Sequence, residues 1–211
     1  MQMLKTKGSR FELSSGTISV PAGSSAQLLF IYGDEEKESR IRLSAGSSLQ
    51  IFSVFNSGSK IKNSFSLAEN SKLEIHDIFY GNVKVENSIP LENENCSLNL
   101  LAKGAIYMNE SSSYSAFACI GKNAPGANVN LEEHAYLAEK GAKASLLPGL
   151  EINNSNVNAR HASSISEPNG EQIFYLMSRG LSEKEAKDEI ISGFLSRELA
   201  KMKAIFGYEG L

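Results

Sequence analysis

The side chains in this sequence best able to ligate a metal or act as nucleophiles are three histidines and two cysteines. They are His76, His134, His161, Cys96 and Cys119. No histidine lies at metal-ligand spacing from another or from a cysteine, and the chain has no CxxC pair, Walker-type phosphate loop or GxSxG motif. A lone cysteine is more often a small buried apolar residue than a nucleophile. Spacing alone therefore assigns no chemistry to these residues.

Two acidic stretches and one glycine-containing stretch are the remaining candidates. Residues 34–38 are predicted to form a charged hairpin tip, and Glu132 and Glu133 beside His134 are predicted to lie in a solvated turn. Residues 121–127 are predicted to be a plain turn. Cys119 lies in an alternating stretch and shares a face with Phe117, but no nearby cation favours its thiolate.

Length, composition and charge exclude several classes of protein. The chain has 211 residues, 41% of them hydrophobic, and a formal net charge of -3. This charge argues against a nucleic-acid-binding surface, and two cysteines exclude a disulfide-stapled scaffold. No apolar run approaches the roughly 20 residues of a membrane span, and residues 1–10 lack the apolar core of a signal peptide. We expect a cytoplasmic protein that binds neither nucleic acid nor membrane.

A repeated pattern indicates how the first part of the chain is built. Residues 22–30 closely resemble residues 45–52 at an offset of 23, and residues 68–75 and 95–101 are looser copies. Each copy is a small polar turn followed by an alternating strand, so that Leu49, Ile51 and Ser53 would share one face. This period favours a β-solenoid with stacked coils. An antiparallel sandwich remains the alternative.

After Pro168 the pattern becomes helical. A short helix is predicted over residues 172–179 with Gly180 at its C-cap, and Ser182 with Glu185 forms a capping box. A helical apolar stripe then runs from residue 186 to 206. We therefore expect a β-helix core over residues 1–168 and a helical segment over residues 169–211. The stripe is expected to cap the end of the solenoid, and binding of a partner is a compatible second role.

The segment from about residue 147 to 194 resembles the C-terminal core of the SufB/SufD family of iron–sulfur cluster assembly proteins. The resemblance rests on a P-x-L-E-I strand, a histidine followed by small residues, an E-Q-x-F-Y-L-x-S-R-G helix and a later E-A … G-F helix. In this chain these motifs are residues 148–152, His161 onward, residues 171–180 and residues 185–194.

The resemblance implies a right-handed parallel β-helix followed by C-terminal helices. It further implies dimerisation through the β-helix and recruitment of the ABC-type ATPase SufC through the helices. The chain would be a homodimer or a heterodimer with a SufB-like chain. Such a scaffold would carry a transient iron–sulfur cluster and hold none tightly. It would not itself be an enzyme, because ATP hydrolysis belongs to the partner ATPase.

The resemblance also suggests site residues. His161 carries over as a residue of cluster assembly and a possible iron ligand, with a purely structural histidine as the alternative. Cys119 is the nearest candidate for an assembly cysteine, although it does not match the family position. The surface expected to receive SufC is represented by Phe174, Tyr175, Arg179, Gly180 and Phe194.

The chain departs from the family pattern in ways that favour a short SufD-like member. Ala162 follows His161, where SufB-like members have a glutamate and SufD-like members a glycine. Residues 1–17 are too short for the usual N-terminal helical region.

Two other classes of function remain as alternatives. The first is a bactofilin-like β-helix that polymerises end to end, which a helical cap would oppose. The second is a carbohydrate-active enzyme, which needs paired acids on adjacent coils. The solenoid offers only Asp34 and Asp77 as aspartates, which disfavours this second class.

Overall fold

The computed structural model describes residues 2–7, 12–14 and 16–209, which form fourteen strands followed by two helices. The strands are β1 (Gln2–Lys7), β2 (Glu12–Ser14), β3 (Thr17–Val20), β4 (Ser25–Tyr32), β5 (Glu36–Leu43), β6 (Ser48–Phe55), β7 (Lys60–Leu67), β8 (Lys72–Tyr80), β9 (Lys84–Leu91), β10 (Ser97–Ile106), β11 (Ser111–Ile120), β12 (Asn128–Leu137), β13 (Lys143–Ile152) and β14 (Asn158–Ser166). The helices are α1 (Gly170–Ser178) and α2 (Glu183–Phe206).

The chain winds between two sheets, and each coil contributes one strand to each. Sheet A has the order β1-β4-β6-β8-β10-β12-β14, and sheet B has the order β13-β11-β9-β7-β5-β3-β2. Pairing of Ser25 with Ser48 gives a coil of 23 residues, as the repeat predicted. Coils lengthen toward the C-terminus, where Ser97 pairs with Asn128. Because these strands are parallel, the β-helix prediction is confirmed and the sandwich alternative is wrong.

Stacked apolar side chains fill the space between the sheets. Leu28, Ile51, Ile75, Leu100 and Leu131 occupy equivalent positions on five successive strands of sheet A, and all are buried. The predicted face shared by Leu49, Ile51 and Ser53 is therefore the inward face of β6. Burial of such a ladder from water supplies the main driving force for coil stacking.

The small polar turns of the repeat also stack. Gly46 has a φ of 65° and Asn70 a φ of 58°, and each occupies the same corner of its coil. The N–H of Gly46 donates to the carbonyl of Glu69, and the N–H of Asn70 donates to that of Glu94. Glycine and asparagine tolerate this left-handed conformation, which explains their use at this corner.

Two expectations about local structure are corrected. Residues 34–38 do not form a hairpin tip, because β4 and β5 belong to different sheets and the chain crosses between them there. The stripe of α2 does not cap an end of the solenoid. It packs lengthwise on the outer face of sheet A, where Ile191, Leu195, Met202 and Phe206 contact side chains from several coils.

The two ends of the β-helix are finished differently. At the N-terminal end, β1 pairs antiparallel with β4 and β2 pairs antiparallel with β3, which interrupts the parallel stacking. At the C-terminal end, β13 and β14 are the last strands of sheets B and A. Of the described residues, 2–7, 12–14 and 16–209, none belongs to a helix with the length and apolarity needed to cross a membrane.

Candidate functional site

The open end of the β-helix, formed by β13 and β14, is rich in exposed apolar side chains. Leu147 is 62% exposed, Ile152 49% and Ile165 47%. Inward-facing positions are buried in the preceding coils, but those of β14 are not covered by a further coil. An outermost strand also offers unpaired backbone donors and acceptors. The open end is therefore suited to pairing with another sheet edge.

His161 lies in the middle of the open end. It pairs with Leu131 of β12, so its side chain continues the inward-facing ladder that fills the lumen, the space between the two sheets. Its Nδ1 is 2.8 Å from the carbonyl oxygen of Pro148 on the opposite sheet. With Nδ1–H donating to that carbonyl, Nε2 keeps its lone pair, as in histidines that ligate metals.

Cys119 does not share a site with His161. It lies on β11 in sheet B with its side chain on the outer face, whereas His161 lies on β14 in sheet A. Burial, together with the carboxylates of Glu151 and Glu92, raises the pKa of the Cys119 thiol. A thiol held in its neutral form is a poor metal ligand and a poor nucleophile.

Cys96 is buried in a turn between coils. Its Sγ lies 3.2 Å from the carbonyl oxygen of Ala68 and 3.9 Å from the hydroxyl of Ser71. Burial raises the pKa of this thiol as well. The position is that of a small packed side chain.

Glu133 corrects the expectation of a solvated acidic turn. It lies on β12 and faces the lumen with 0% of its surface exposed, whereas Glu132 faces outward. Neither carboxylate oxygen makes a hydrogen bond of good geometry to a described residue. Burial raises its pKa to about 8, and the nearby backbone groups of Ala116 and Leu147 offset this only in part. The alternation Val129, Leu131, Glu133 is the sequence signal that could have placed it inside.

A second buried acid, Asp77, belongs to a polar network in the lumen. The hydroxyl of Tyr114 donates to Asp77 Oδ2 at 2.5 Å and accepts from Asn87 Nδ2 at 2.8 Å. Burial raises the pKa of Asp77 to about 6, although hydrogen bonds from Tyr114 and Ser53 act to lower it. The network satisfies one oxygen of Asp77 within an otherwise apolar core.

Helix α1 presents an exposed apolar surface that we call the docking surface, formed by Phe174, Tyr175, Met177, Arg179 and Gly180. Phe174 is 75% exposed, and α1 has no buried residue. The Arg179 guanidinium lies 5.2 Å from the centroid of the Tyr175 ring. Gly180, with a φ of 101°, follows the C-cap residue Arg179. A cleft of about 430 Å³ next to this surface is lined by residues of both α1 and α2, among them Tyr175 and Ile190.

Phe194, the remaining residue predicted to bind the partner, is used in packing α2 onto sheet A. Its ring lies 5.0 Å from that of Tyr136. The Nζ of Lys103 lies 4.8 Å from the centroid of the Phe194 ring and donates to the Phe194 carbonyl at 2.7 Å. The Phe194 ring therefore packs against sheet A, whereas Phe174 and Tyr175 of α1 are exposed.

A buried polar cluster beneath α2, formed by His76, Glu74 and Glu198, was not predicted from the sequence. His76 Nε2 lies 2.8 Å from Glu74 Oε1, and His76 Nδ1 lies 2.9 Å from Glu198 Oε2. Burial alone would raise the pKa of Glu198, but His76 and Lys201 outweigh it and lower the pKa to about 2. Glu198 falls between Leu195 and Met202 in the apolar stripe, which was the available signal.

Across the described parts of the chain, no group of three histidine, cysteine or acidic side chains could hold a metal ion. Within these parts of the chain, His161 therefore does not belong to a group of three such side chains at the open end.

The chain is a parallel β-helix protein with a C-terminal helical segment, since its coils build two sheets of mainly parallel strands and two helices follow them. Residues 13–194 match the family model described as "SUF system FeS cluster assembly, SufBD core domain". The chain therefore belongs to the SufBD core family of the SUF iron–sulfur cluster assembly system.

Similarity to individual proteins agrees with this assignment. The iron–sulfur cluster assembly protein SufB of Bacillus subtilis is 33% identical over 101 residues, which is 48% of this chain and 22% of that protein. An iron–sulfur cluster assembly SufBD family protein of Staphylococcus saprophyticus is 35% identical over 82 residues, or 39% of this chain and 18% of that protein. The matched stretch thus spans about a fifth of these relatives.

Proposed function

We propose that the chain is a non-catalytic scaffold subunit of the SUF machinery that works in the cytoplasm. It dimerises through the open end and recruits a SufC-type ATPase through the docking surface. The observation that carries this proposal is the presence of two separate exposed apolar surfaces on one β-helix, at β13–β14 and on α1. The partner at the open end is a second copy or a SufB-like chain.

The end-to-end polymer is the second candidate. Since α2 covers the side of the β-helix rather than an end, the helical segment does not oppose polymerisation as the sequence suggested. The antiparallel strands β1 and β2 do oppose it, because they break the parallel register at one end. One open end favours a closed pair over a filament.

The test is to copurify the chain with its SufC-type ATPase and to measure the mass of the complex by light scattering. We expect a complex with two copies of each chain, or one copy of a SufB-like chain in place of the second copy. If this chain instead forms filaments alone and does not bind the ATPase, the scaffold proposal is wrong and the end-to-end polymer is favoured.

The docking surface leads to a prediction for ATPase binding. Phe174→Ala is expected to weaken binding by about 30-fold, since a truncated aromatic anchor costs roughly 2 kcal/mol. Arg179→Glu is expected to weaken it as well, by adding a carboxylate beside Tyr175. Affinity would be measured by titration calorimetry.

The matched control is Phe117→Ala, because Phe117 is 47% exposed but lies on the outer face of sheet B, away from both helices. Its affinity should equal that of the unmodified chain. Unchanged binding by both α1 variants would move the ATPase contact elsewhere.

We further propose that His161 supplies Nε2 as an iron ligand to a transient cluster held between two chains. Ala162 offers no carboxylate beside it, which supports a SufD-like role. His161→Ala is expected to slow cluster formation at least about tenfold in a reconstituted system, because coordination through one imidazole is lost. Thermal stability and dimer mass should not change, since the side chain is exposed.

His134→Ala is the control for this prediction. His134 lies on the neighbouring strand and contacts the hydroxyl of Ser164 at 2.7 Å on the outer face. Cluster formation should be normal in this variant. If His161→Ala forms clusters at the normal rate, His161 has only a structural role, through its hydrogen bond to the carbonyl of Pro148.

A further inference from the structure

Helix α2 lies along the stack of coils, and apolar contacts alone fix its position along that direction poorly. Neighbouring strands are about 4.8 Å apart, and an α-helix rises about 5.4 Å per turn. A shift of α2 by one turn therefore moves its apolar stripe onto equivalent side chains of the next coil. Those side chains are again apolar: Leu29 aligns with Phe52 in one outward column, and Ile31, Val54 and Ile78 align in the next.

One buried polar residue interrupts the apolar pattern on each side of this interface, whereas Lys103, which follows Ile78 in the second outward column, is only half-buried. On the sheet, His76 follows Phe52 in the outward column and is 2% exposed. On the helix, Glu198 lies between Leu195 and Met202 in the buried stripe and is 0% exposed. Each interruption is therefore fully inside the contact between α2 and sheet A.

In the observed position of α2, these two polar residues are in contact with each other. Glu198 contacts His76, and Lys201 Nζ lies 3.2 Å from the same carboxylate oxygen of Glu198. Glu74 faces the other ring nitrogen of His76, and Arg197 Nε lies 4.0 Å from Glu198 Oε1. A one-turn shift would place Glu198 against an apolar neighbour and leave His76 without it. Two buried polar side chains would then lose their partners, which costs far more than apolar contacts differ between positions.

A second polar contact is consistent with this position. Lys103 of β10 donates to the carbonyl of Phe194 on α2. It lies at the edge of the interface, where Lys103 is half-buried. The bond reinforces the observed position, but the deeply buried pair discriminates more strongly because it is shielded from water.

We propose that Glu74, His76 and Glu198 form a register lock that fixes α2 at one position along the β-helix. The lock gives specificity of position rather than net stability, a use for which buried polar groups are best known. Because α1 packs against α2, the lock also sets where the docking surface is held. This last consequence rests on the proposed function, whereas the lock itself does not.

The test replaces both members of the buried pair by apolar residues, in the double variant His76→Phe/Glu198→Leu. The position of α2 is read from the distance between spin labels at Ala204 on α2 and Asn123 in a turn between coils, both exposed. The two native cysteines are changed to serine in every protein measured. The protein with the native His76–Glu198 pair should give one distance between the two labels. In the double variant we expect a second population in which α2 is shifted by about 5 Å, one helical turn.

Each outcome decides the proposal. A single distance in the double variant, equal to that of the parent, overturns it. Failure of the double variant to fold also overturns it, because the proposal requires the apolar interface to hold α2 unaided. The control Met202→Leu changes a buried apolar contact but keeps the lock, and should give one distance. None of these results depends on ATPase binding, so failure of the lock would leave the proposed function untouched.

Discussion

Glu198→Ala is expected to lower the free energy of unfolding by about 3–5 kcal/mol at pH 7, because it removes the buried carboxylate that faces His76 and leaves the imidazole in place. His76 would remain buried beneath α2, with Glu74 as its acidic neighbour. Urea-induced unfolding followed by circular dichroism would measure the loss. The single variant should therefore be much less stable than the apolar double variant, in which neither polar side chain remains.

The pH dependence of stability offers an independent check of Glu198. Its pKa is lowered from 4.5 to about 2 in the folded chain. The folded state thus releases this proton more readily than the unfolded state, so the contribution is complete above pH 4.5 and is lost as the pH falls toward 2. The acid sensitivity should be smaller in Glu198→Ala. Arg197→Ala, which removes an exposed partner, should change stability by less than about 1 kcal/mol; an equal loss in both variants would contradict the prediction.

Glu133→Gln is expected to raise the free energy of unfolding by about 3 kcal/mol at pH 7, since each unit of pKa shift corresponds to about 1.4 kcal/mol. Burial raises the Glu133 pKa from 4.5 to about 8. Between these values the folded chain holds a proton that the unfolded chain has released. Stability of the unmodified protein should therefore fall as the pH rises from 4.5 to 8, and then level off.

Unfolding of both proteins across pH 4 to 9 would test this prediction. Asp77 also has a raised pKa, about 6, but it is present in both proteins, so their difference isolates Glu133. The two curves should meet near pH 4, where the carboxyl is neutral in both states. Parallel curves over the whole range would mean that Glu133 is ionised in the folded chain.

The sequence by itself determined the architecture and the family. The spacing of residues 22–30 and 45–52 matches the length of one coil, because each coil needs a turn of small residues and an inward apolar ladder at the same positions. The capping box of Ser182 and Glu185 and the left-handed Gly207 set the ends of α2 as local chemistry requires. The motifs around His161 identified the family, since they extend over a long ordered segment.

Only the tertiary structure decided where α2 lies and which charged residues it buries. A helical stripe requires an apolar surface but does not specify whether that surface is the end or the side of the β-helix. The buried contact between His76 and Glu198 joins residues that are far apart in the chain, so no local pattern records it. The charged neighbours of Glu133 likewise predicted a solvated side chain. In the structure it faces the lumen, because side chains along a strand alternate between the two faces.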